Sequence, residues 1–395
     1  MPSARIALAP DDFVVEEALR FPPGRTGTFS LYRVTKRLLT TPEVQERLAA
    51  RLNLPPSDIA FPALKDKNAV ATQHCTMRLA AAPERIEGPG YSAQRIGLML
   101  RQITPGDLTG NRFTITLRGL DPTRASAMAA RLETLARTGL PNYLDSQRFG
   151  SYVEGGVWFG KAVLQGDAEA ALKAYLAQDA PADADDLRAM KRFARDHWRD
   201  WPAIAAVAPR SNHRSLLTFL TDHPQDFRRA LNLITPRLLP LLLAQYQSLL
   251  WNRIASRVLE QALADAGANI VEAKMVRTTI AGDALVLAVA LPPAAAQALR
   301  DAVVPLPHHR MDVAGPAVAQ AIERVLADER ITPRDLKARL LQRAYLPRGN
   351  RPLLLFPSDP AARVSPANPL CDLQVRFFLP PGSYATLVLK ALALP

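Results

Sequence analysis

The segment from Asn111 to Arg118, NRFTITLR, constrains the fold most, because apolar and polar residues alternate through it without a break. Phe113, Ile115 and Leu117 fall on one face, and the residues between them are polar. A period of two is typical of a β-strand with one buried face. The chain therefore needs a sheet and a layer of structure that covers that face.

Other strands are predicted on both sides of this segment. They are short runs rich in β-branched and aromatic residues, bounded by turn residues or proline. The candidates are Asp12 to Ala18, Phe29 to Val34, Gln73 to Leu79, Gln94 to Arg101 and Asp372 to Leu379.

Helices are predicted between these strands. One begins at Thr40 or Thr41 and runs to about Leu52, because proline follows in the first turn and Glu43 suits a capping box. Another follows Asp121 and Pro122 and is closed by Gly139. A last helix is expected from Tyr384 to Leu394. Strands separated by helices indicate an α+β fold rather than a helical bundle.

The composition changes from about Gly155 onward, where Ala, Leu and Arg dominate. Helices are predicted at 168–180, 184–199 and 237–266, and a strand-like run spans Leu285 to Ala290. No repeat of fixed period is evident. We interpret this part as a second, largely helical α+β domain.

The balance of charges points to a polyanionic partner. Lys plus Arg number 49 against 37 Asp plus Glu, which gives a net charge of +12. Such an excess is typical of proteins that bind nucleic acid. Cys75 and Cys371 are far apart and lack metal-ligand spacing, so we expect two buried free thiols. Without a signal peptide or an uninterrupted apolar span, we expect a soluble, cytoplasmic protein.

The stretch from Phe61 to Gln73, FPALKDKNAVATQ, places a polar cluster between two apolar runs. Loops of this kind often carry function. Asp66 lies between Lys65 and Lys67, and nearby positive charge favours the ionised carboxylate. Asp66 is therefore a candidate nucleophile or base. A bare Lys-Asp-Lys triplet is also typical of a solvated turn. The triplet alone therefore does not distinguish a catalytic loop from a solvated turn, and the surrounding sequence is needed.

That loop resembles the catalytic segment of the TruD family of RNA pseudouridine synthases, Lys-Asp-(Lys/Arg)-x-Ala-Val-(Thr)-x-Gln, with Ala71 where Thr is common. Further segments resemble the family in the same order, whereas residues 155–340 match weakly. They are DDFVVEE (Asp11 to Glu17), GNRFTITLR (Gly110 to Arg118), GLPNYLDSQRFG (Gly139 to Gly150) and RFFLPPGSYAT (Arg376 to Thr386).

The resemblance implies a discontinuous, pseudouridine-synthase-like catalytic domain with a mixed or antiparallel sheet. Its two parts are expected at residues 1–153 and 341–395, with an inserted domain at 154–340. It also implies isomerisation of a tRNA uridine, at position 13 in bacterial relatives. We expect a monomer that needs no cofactor, no metal and no membrane.

The resemblance further implies roles for several residues. Asp66 is the catalytic aspartate. Asn111 and Phe113 share one strand face, and the family's Asn-x-Phe places an aromatic ring beside the flipped base. Phe113 is equally in phase with the core residues of its strand. Tyr384 stands where many members carry Phe, so its ring either stacks on the base or is an ordinary aromatic at a helix start.

The remaining candidates each have two interpretations. Gln147 and Arg148 contact RNA or pair with Asp66, or Arg148 is structural. Glu16 matches the family's acidic position, or makes a structural hydrogen bond. Two basic runs either follow a phosphate backbone or are solvated faces. They consist of Arg188, Lys191, Arg192, Arg195 and Arg199, and of Arg334, Lys337, Arg339, Arg343, Arg348 and Arg351.

Two rival functions remain at this point. A protein of the same fold that binds RNA, or acts as an RNA chaperone, without catalysis would keep the basic surface and lose the need for Asp66. A metal-dependent nuclease is disfavoured, because the sequence has no carboxylate cluster, and the adjacent His308 and His309 point in different directions. Substitution of Asp66 separates the enzyme from the silent binder.

Overall fold

The computed structural model describes residues 5–6, 9–79, 83–180, 183–267, 275–288, 291–313 and 315–394. The chain divides into two compact units, Met1–Gly139 with Leu355–Pro395, and Leu140–Leu354. The domain boundaries expected from the sequence, 153 and 340, both fall inside the second of these compact units. Hydrogen bonds explain the difference, because Tyr143 donates to the carbonyl of Val286 at 2.8 Å, within the second unit.

The N-terminal part of the first unit contains most of the strands of that unit and two of its helices. They are β1 (Arg5–Ile6), β2 (Phe13–Leu19), β3 (Phe29–Arg37), α1 (Thr41–Leu52), β4 (Ile59–Ala60), β5 (Val70–Met77), β6 (Arg85–Gly88), β7 (Tyr91–Met99), β8 (Leu108–Leu120) and α2 (Pro122–Thr138).

The second unit is mainly helical. Its elements are β9 (Leu140–Pro141), α3 (Phe159–Gln165), α4 (Ala168–Leu176), α5 (Asp185–Asp196), α6 (Trp201–Val207), α7 (Asn212–Asp222), α8 (Phe227–Asn232), α9 (Leu239–Asp265), β10 (Met275–Ile280), β11 (Asp283–Ala288), α10 (Pro293–Leu299), β12 (Val303–Pro305), α11 (Pro316–Asp328) and β13 (Asn350–Pro352). The chain then passes through β14 (Leu354–Leu355) into β15 (Ser358–Ala367), β16 (Leu370–Leu379) and α12 (Ala385–Leu392).

The sheet of the first unit is mixed, as predicted. Its strand order is β15-β16-β8-β2-β5-β3-β7-β6, with β1 beside β8 and β4 beside β5. Among these pairs β2 and β5 run parallel, and the others are antiparallel. Helix α2 packs on β15 and β16, and α12 packs on α2. Strands from both ends of the chain therefore meet in one sheet, with β8 between them.

Local sequence signals are confirmed at several elements. On β8, Phe113, Ile115 and Leu117 are buried, as their alternation predicts. Thr40 caps α1, since its hydroxyl accepts from the Glu43 amide at 3.2 Å. Apolar side chains of α1 and β3 then share one core cluster, as expected when one face of a strand is covered by a helix. Its members include Tyr32, Val34, Val44 and Leu48.

In the second unit, the predicted helices correspond to α4, α5 and the long buried helix α9. The predicted strand from Leu285 corresponds to β11, although residues 289 and 290 lie outside the described part of the chain. The shorter helices of this unit were not predicted from the sequence. None of the helices within the described ranges is both long and apolar enough to cross a bilayer. Cys75 and Cys371 are buried free thiols, as expected.

Candidate functional site

Asp66 lies on the loop that connects β4 to β5 in the first unit. Asp66 and Lys67 are exposed, whereas the Lys65 side chain is only 9% exposed. The lysines that flank the carboxylate in sequence therefore differ in structure. Lys67 lies at the surface, with Nζ 3.7 Å from a Glu43 carboxylate oxygen, and Lys65 turns inward.

Side chains from α1 and β5 hold the loop backbone before Asp66. The Thr41 hydroxyl accepts a hydrogen bond from the Lys65 amide at 3.0 Å and donates to the Gln73 side-chain oxygen at 3.1 Å. The Gln73 amide nitrogen then donates to the carbonyl of Ala63 at 2.9 Å. The loop is fixed by side chains on both of its neighbouring elements, which is how a site on a loop gains precision.

Lys36 holds the backbone at Asp66 itself. Its side chain is completely buried on β3, and its ammonium donates to the carbonyl oxygen of Asp66. Burial lowers the pKa of Lys36 to about 8; the negative charge of Asp66 opposes that shift, and the positive charge of Lys65 adds to it. Lys36 was not among the residues predicted from the sequence. A signal was present, because Lys36 is in phase with the buried residues Tyr32 and Val34.

The acidic residue that contacts the loop is Glu17, the neighbour of the candidate Glu16. The Glu17 side chain is fully buried, 2.6 Å from Lys65 Nζ, and it accepts the His74 amide at 2.8 Å. Burial alone raises the pKa of Glu17, but the His74 hydrogen bonds and the Lys65 charge outweigh it and leave the pKa below its usual value. Glu16 is half-buried, opposite Arg112 on β8.

Asn111 belongs to the same neighbourhood through strand pairing. On β8 it lies opposite Glu17 of β2 and opposite Leu379 of β16. Directly opposed residues of antiparallel strands point to the same face, so Asn111 shares the face of the Glu17 carboxylate. Within the described part of the chain, its buried Oδ1 has no hydrogen-bond partner. The Oδ1 atom of Asn111 is therefore an unused hydrogen-bond acceptor close to the loop that carries Asp66.

Phe113 is more buried than a base-stacking role requires. It is 8% exposed, and its ring centroid lies 6.0 Å from that of Phe13 and 5.7 Å from that of Phe377. This packing favours the core interpretation for most of the ring. Phe13, which the sequence analysis did not single out, is half-buried and contacts Phe113 edge-on. The stacking role of Phe113 stays a prediction.

Tyr384 is half-buried and occupies the N-cap position of α12. It follows the turn at Pro380 to Gly382, where Gly382 has a φ of 77°. That turn comes directly after Leu379, the β16 residue opposite Asn111. Tyr384 therefore follows, after one turn, the strand end that pairs with Asn111, and its base-binding role stays a prediction.

Gln147 and Arg148 belong to the second unit. They lie in a short 3-10 turn, Ser146–Phe149, in which Gln147 is exposed. The Arg148 Nε donates to the Ser248 hydroxyl of α9 at 3.1 Å, a contact within that unit. This contact favours a structural role for Arg148, and the expected pairing with Asp66 stays a prediction.

The basic side chains of the first run form ion pairs with carboxylates of the same unit. Arg192 and Arg195 both pair with Asp179, and Arg199 pairs with Glu169. Arg188 and Lys191 pair with Asp185 and Asp183. These pairs favour the structural interpretation. In the second run, Arg351 bonds to Asn142 and lies over the Trp251 ring, so it too has a structural role.

Comparison with known proteins identifies the family. The model of the family described as tRNA pseudouridine synthase D (TruD) matches residues 3–392. "Probable tRNA pseudouridine synthase D 2" of Methanocaldococcus jannaschii is 31% identical over 261 residues, which is 65% of this chain and 61% of that relative. The tRNA pseudouridine synthase D of Aquifex aeolicus is 25% identical over 394 residues, which is 98% of this chain and 97% of that relative.

A solved structure supports the fold. This chain superposes on the crystal structure of the putative TruD from Methanosarcina mazei with a TM-score of 0.72 at 23% sequence identity. The match covers 99% of this chain and 93% of the M. mazei chain. The chain spans about three-fifths of the length of the M. jannaschii relative, 61%, and nearly all of the A. aeolicus one, 97%. Because the family model covers nearly every residue, the chain belongs to the TruD family of tRNA pseudouridine synthases, which are isomerases.

Proposed function

We propose that the protein isomerises a uridine of tRNA to pseudouridine, with Asp66 as the catalytic carboxylate. The observation that carries this proposal is the placement of Asp66. Its side chain is exposed, and its backbone carbonyl is held by a hydrogen bond from the buried ammonium of Lys36. Thr41 fixes the preceding amide of the same loop. A fixed backbone that carries an exposed carboxylate lets the reacting group meet a substrate without reordering of the loop, which lowers the barrier.

The reaction balances with one carboxylate. The bond between N1 of uracil and C1′ of ribose breaks, the base turns, and C5 bonds to C1′. The hydrogen on C5 leaves as a proton and N1 ends with a proton, so no electrons are exchanged and no redox cofactor is needed. Asp66 assists by adding to C1′, by adding to C6, or by promoting elimination.

The proposal places the everted base beside Asn111. The spare Oδ1 of Asn111 suits an N–H group on the edge of uracil. The proposal assigns base stacking to the half-buried ring of Tyr384 and to the 8% of Phe113 that is exposed, because an unstacked base regains stacking energy on a π-face. The inward-turned Lys65 positions this site through its ion pair with Glu17.

The RNA partner follows from charge and from the relatives. The net charge of +12 attracts a phosphate backbone, and Lys67 lies exposed next to Asp66. The proposal assigns further RNA contacts to Gln147 and Arg148. The relatives' names specify tRNA, and we propose the uridine at position 13 as the target. We further propose a cytoplasmic monomer that works without metal or cofactor.

The test uses unmodified tRNA transcripts with uridine or cytidine at position 13. The wild-type protein, in the presence of a chelator, is expected to form pseudouridine at position 13 of the first transcript and not in the second. Asp66→Asn is expected to lose the reaction while its RNA dissociation constant stays within about twofold. Asp58→Asn, the same change just before β4, is the matched control and keeps the activity.

Two results would contradict the proposal. Pseudouridine formation by Asp66→Asn at the wild-type rate would remove the catalytic role of Asp66. Pseudouridine in both transcripts, at another position, would refute the target and leave the chemistry intact.

A further inference from the structure

A cavity of about 230 Å³ lies inside the second unit, between the start of α3 and helices α4, α5, α7 and α9. Flat rings form much of its wall. Tyr152 and Trp158 stack with their centroids 4.7 Å apart, and Tyr175 stacks on His213 at 4.6 Å. The lining residues belong to the second unit, and the loop of Asp66 contributes none of them.

An ion pair between a buried lysine and a partly buried aspartate supplies the polar part of this cavity. Lys191 is 7% exposed, and its Nζ lies 2.8 Å from Oδ2 of Asp183. An ammonium carries three protons, yet within the described residues that of Lys191 makes this one hydrogen bond. Asp183 Oδ2 also accepts from the Ala180 amide, and Oδ1 accepts no hydrogen bond from the described residues. Both residues line the cavity, so the remaining donors of the buried ammonium and the Oδ1 acceptor of the partly buried carboxylate are open to a ligand.

His213 adds a third unused polar group. Its Nε2 is buried and, within the described ranges, has no hydrogen-bond partner. Burial lowers the pKa of His213 to about 4; the charge of Lys191 adds to this shift, and the charge of Asp183 opposes it. The ring is therefore neutral at pH 7, and the charges of Lys191 and Asp183 cancel each other.

These features define the chemistry of a ligand. A site with no net charge does not favour phosphate, and flat walls favour a flat ring. Convergent donors and acceptors favour a ring with hydrogen-bonding groups along its edge. The volume is below the roughly 300–1,000 Å³ of sites for drug-sized molecules, so it suits a single heterocycle rather than a whole nucleotide.

We propose that this cavity binds a nucleobase, distinct from the uridine that Asp66 converts. In the protein's reaction that base is one everted from the RNA, held between Trp158 and Tyr175 with its edge on Lys191 and Asp183. The RNA source rests on the proposed function. The same base chemistry is also offered by a free nucleoside, so the test has an arm for each source.

The test follows tryptophan fluorescence of the full chain, because Trp158 lines the cavity. Guanosine, adenosine, uridine and cytidine are titrated separately, and a single-stranded RNA oligonucleotide is then added as a competitor. We expect saturable quenching by at least one nucleoside and its reversal by the RNA.

Three variants locate the binding. Ala174→Phe fills the cavity from α4 and should weaken nucleoside binding at least about tenfold. Ala189→Phe makes the same change at an exposed position of α5 outside the lining, and should bind as the wild type does. His213→Phe keeps a ring on Tyr175 and removes the unused nitrogen. It should weaken binding roughly 2- to 10-fold, the effect of one hydrogen bond, without lowering the melting temperature.

Each outcome decides something. Quenching that Ala174→Phe abolishes, and that RNA competes away, supports an RNA base; quenching that RNA leaves unchanged assigns the cavity to a free nucleoside. Absence of saturable quenching, or equal quenching in folded Ala174→Phe and wild type, overturns the proposal and leaves the cavity to water. If Ala174→Phe does not fold, unchanged binding in His213→Phe overturns it. None of these readouts requires isomerisation, so a failure here is separate from a failure of Asp66 as the catalytic residue.

Discussion

Lys36→Met tests how the fold holds the loop of Asp66. Methionine has nearly the length of lysine and fits a buried site, but it carries no ammonium to donate to the Asp66 carbonyl. The charged groups that influence Lys36 are Asp66, Lys65 and Glu43. The substitution therefore removes one buried positive charge and one backbone anchor, and leaves the apolar packing of β3 in place.

The structure sets the size of the effect on stability. A shift of the Lys36 pKa from 10.5 to about 8 corresponds to about 3 kcal/mol, at about 1.4 kcal/mol per unit. Between those two pH values the unfolded chain binds the proton and the folded protein does not. The free energy of unfolding of the wild type therefore rises with pH in this window, and the penalty for the buried charge is fully present below pH 8.

The assay compares urea unfolding of wild type and Lys36→Met from pH 7 to pH 9.5. The difference in unfolding free energy, wild type minus variant, is expected to rise by about 2 kcal/mol across that range. Other groups that titrate cancel in this difference. At pH 7 the variant should also isomerise uridine more slowly while remaining at least as stable. Parallel stability curves, or unchanged activity, would refute the assignment of Lys36 as a buried, charged anchor.

Three further predictions concern neighbouring groups. Glu17→Gln leaves a buried lysine without its counter-charge and should lower the free energy of unfolding by about 3–5 kcal/mol, as measured by urea unfolding. The control Glu16→Gln, at a half-buried position, should cost far less, and equal losses would argue against the buried pair. Asn111→Ala should leave the melting temperature nearly unchanged, because Oδ1 bonds to nothing within the described residues, yet reduce kcat/KM about tenfold. A large loss of stability would show that the side chain is structural. Arg192→Gln breaks an exposed pair with Asp179 and should change stability by less than about 1 kcal/mol. Its RNA affinity, and the dependence of that affinity on salt, should match the wild type, and a shallower salt dependence would restore the phosphate role of this helix.

Local sequence patterns predicted those helices and strands whose capping residues or apolar alternation lie within the element itself. The capping box at Thr40 and the alternation through Phe113 are written in adjacent residues, and the structure has both. The strand at Asp372 was predicted from its own alternation, and it pairs with β8 as β16.

Contacts distant in sequence were not predictable in this way. The limits of the compact units differ from the boundaries expected from the sequence, because Tyr143 and Leu144 bond to Val286 and Asn252, which no local pattern identifies. Lys36 and Glu17 were missed for a different reason. Both occupy inward positions of strands, in phase with apolar neighbours, but a charged residue there has a meaning only once its buried partner is known.

The most direct test of the account is the single-turnover rate of Asp66→Asn on a tRNA transcript with uridine at position 13. The side chain keeps its size and loses its charge, so the fold and the RNA dissociation constant should be retained. We predict that the rate falls by roughly four orders of magnitude or more, as when a reacting group is removed. A rate within a few-fold of the wild type, on RNA that is bound equally well, would contradict the claim that this carboxylate performs the reaction.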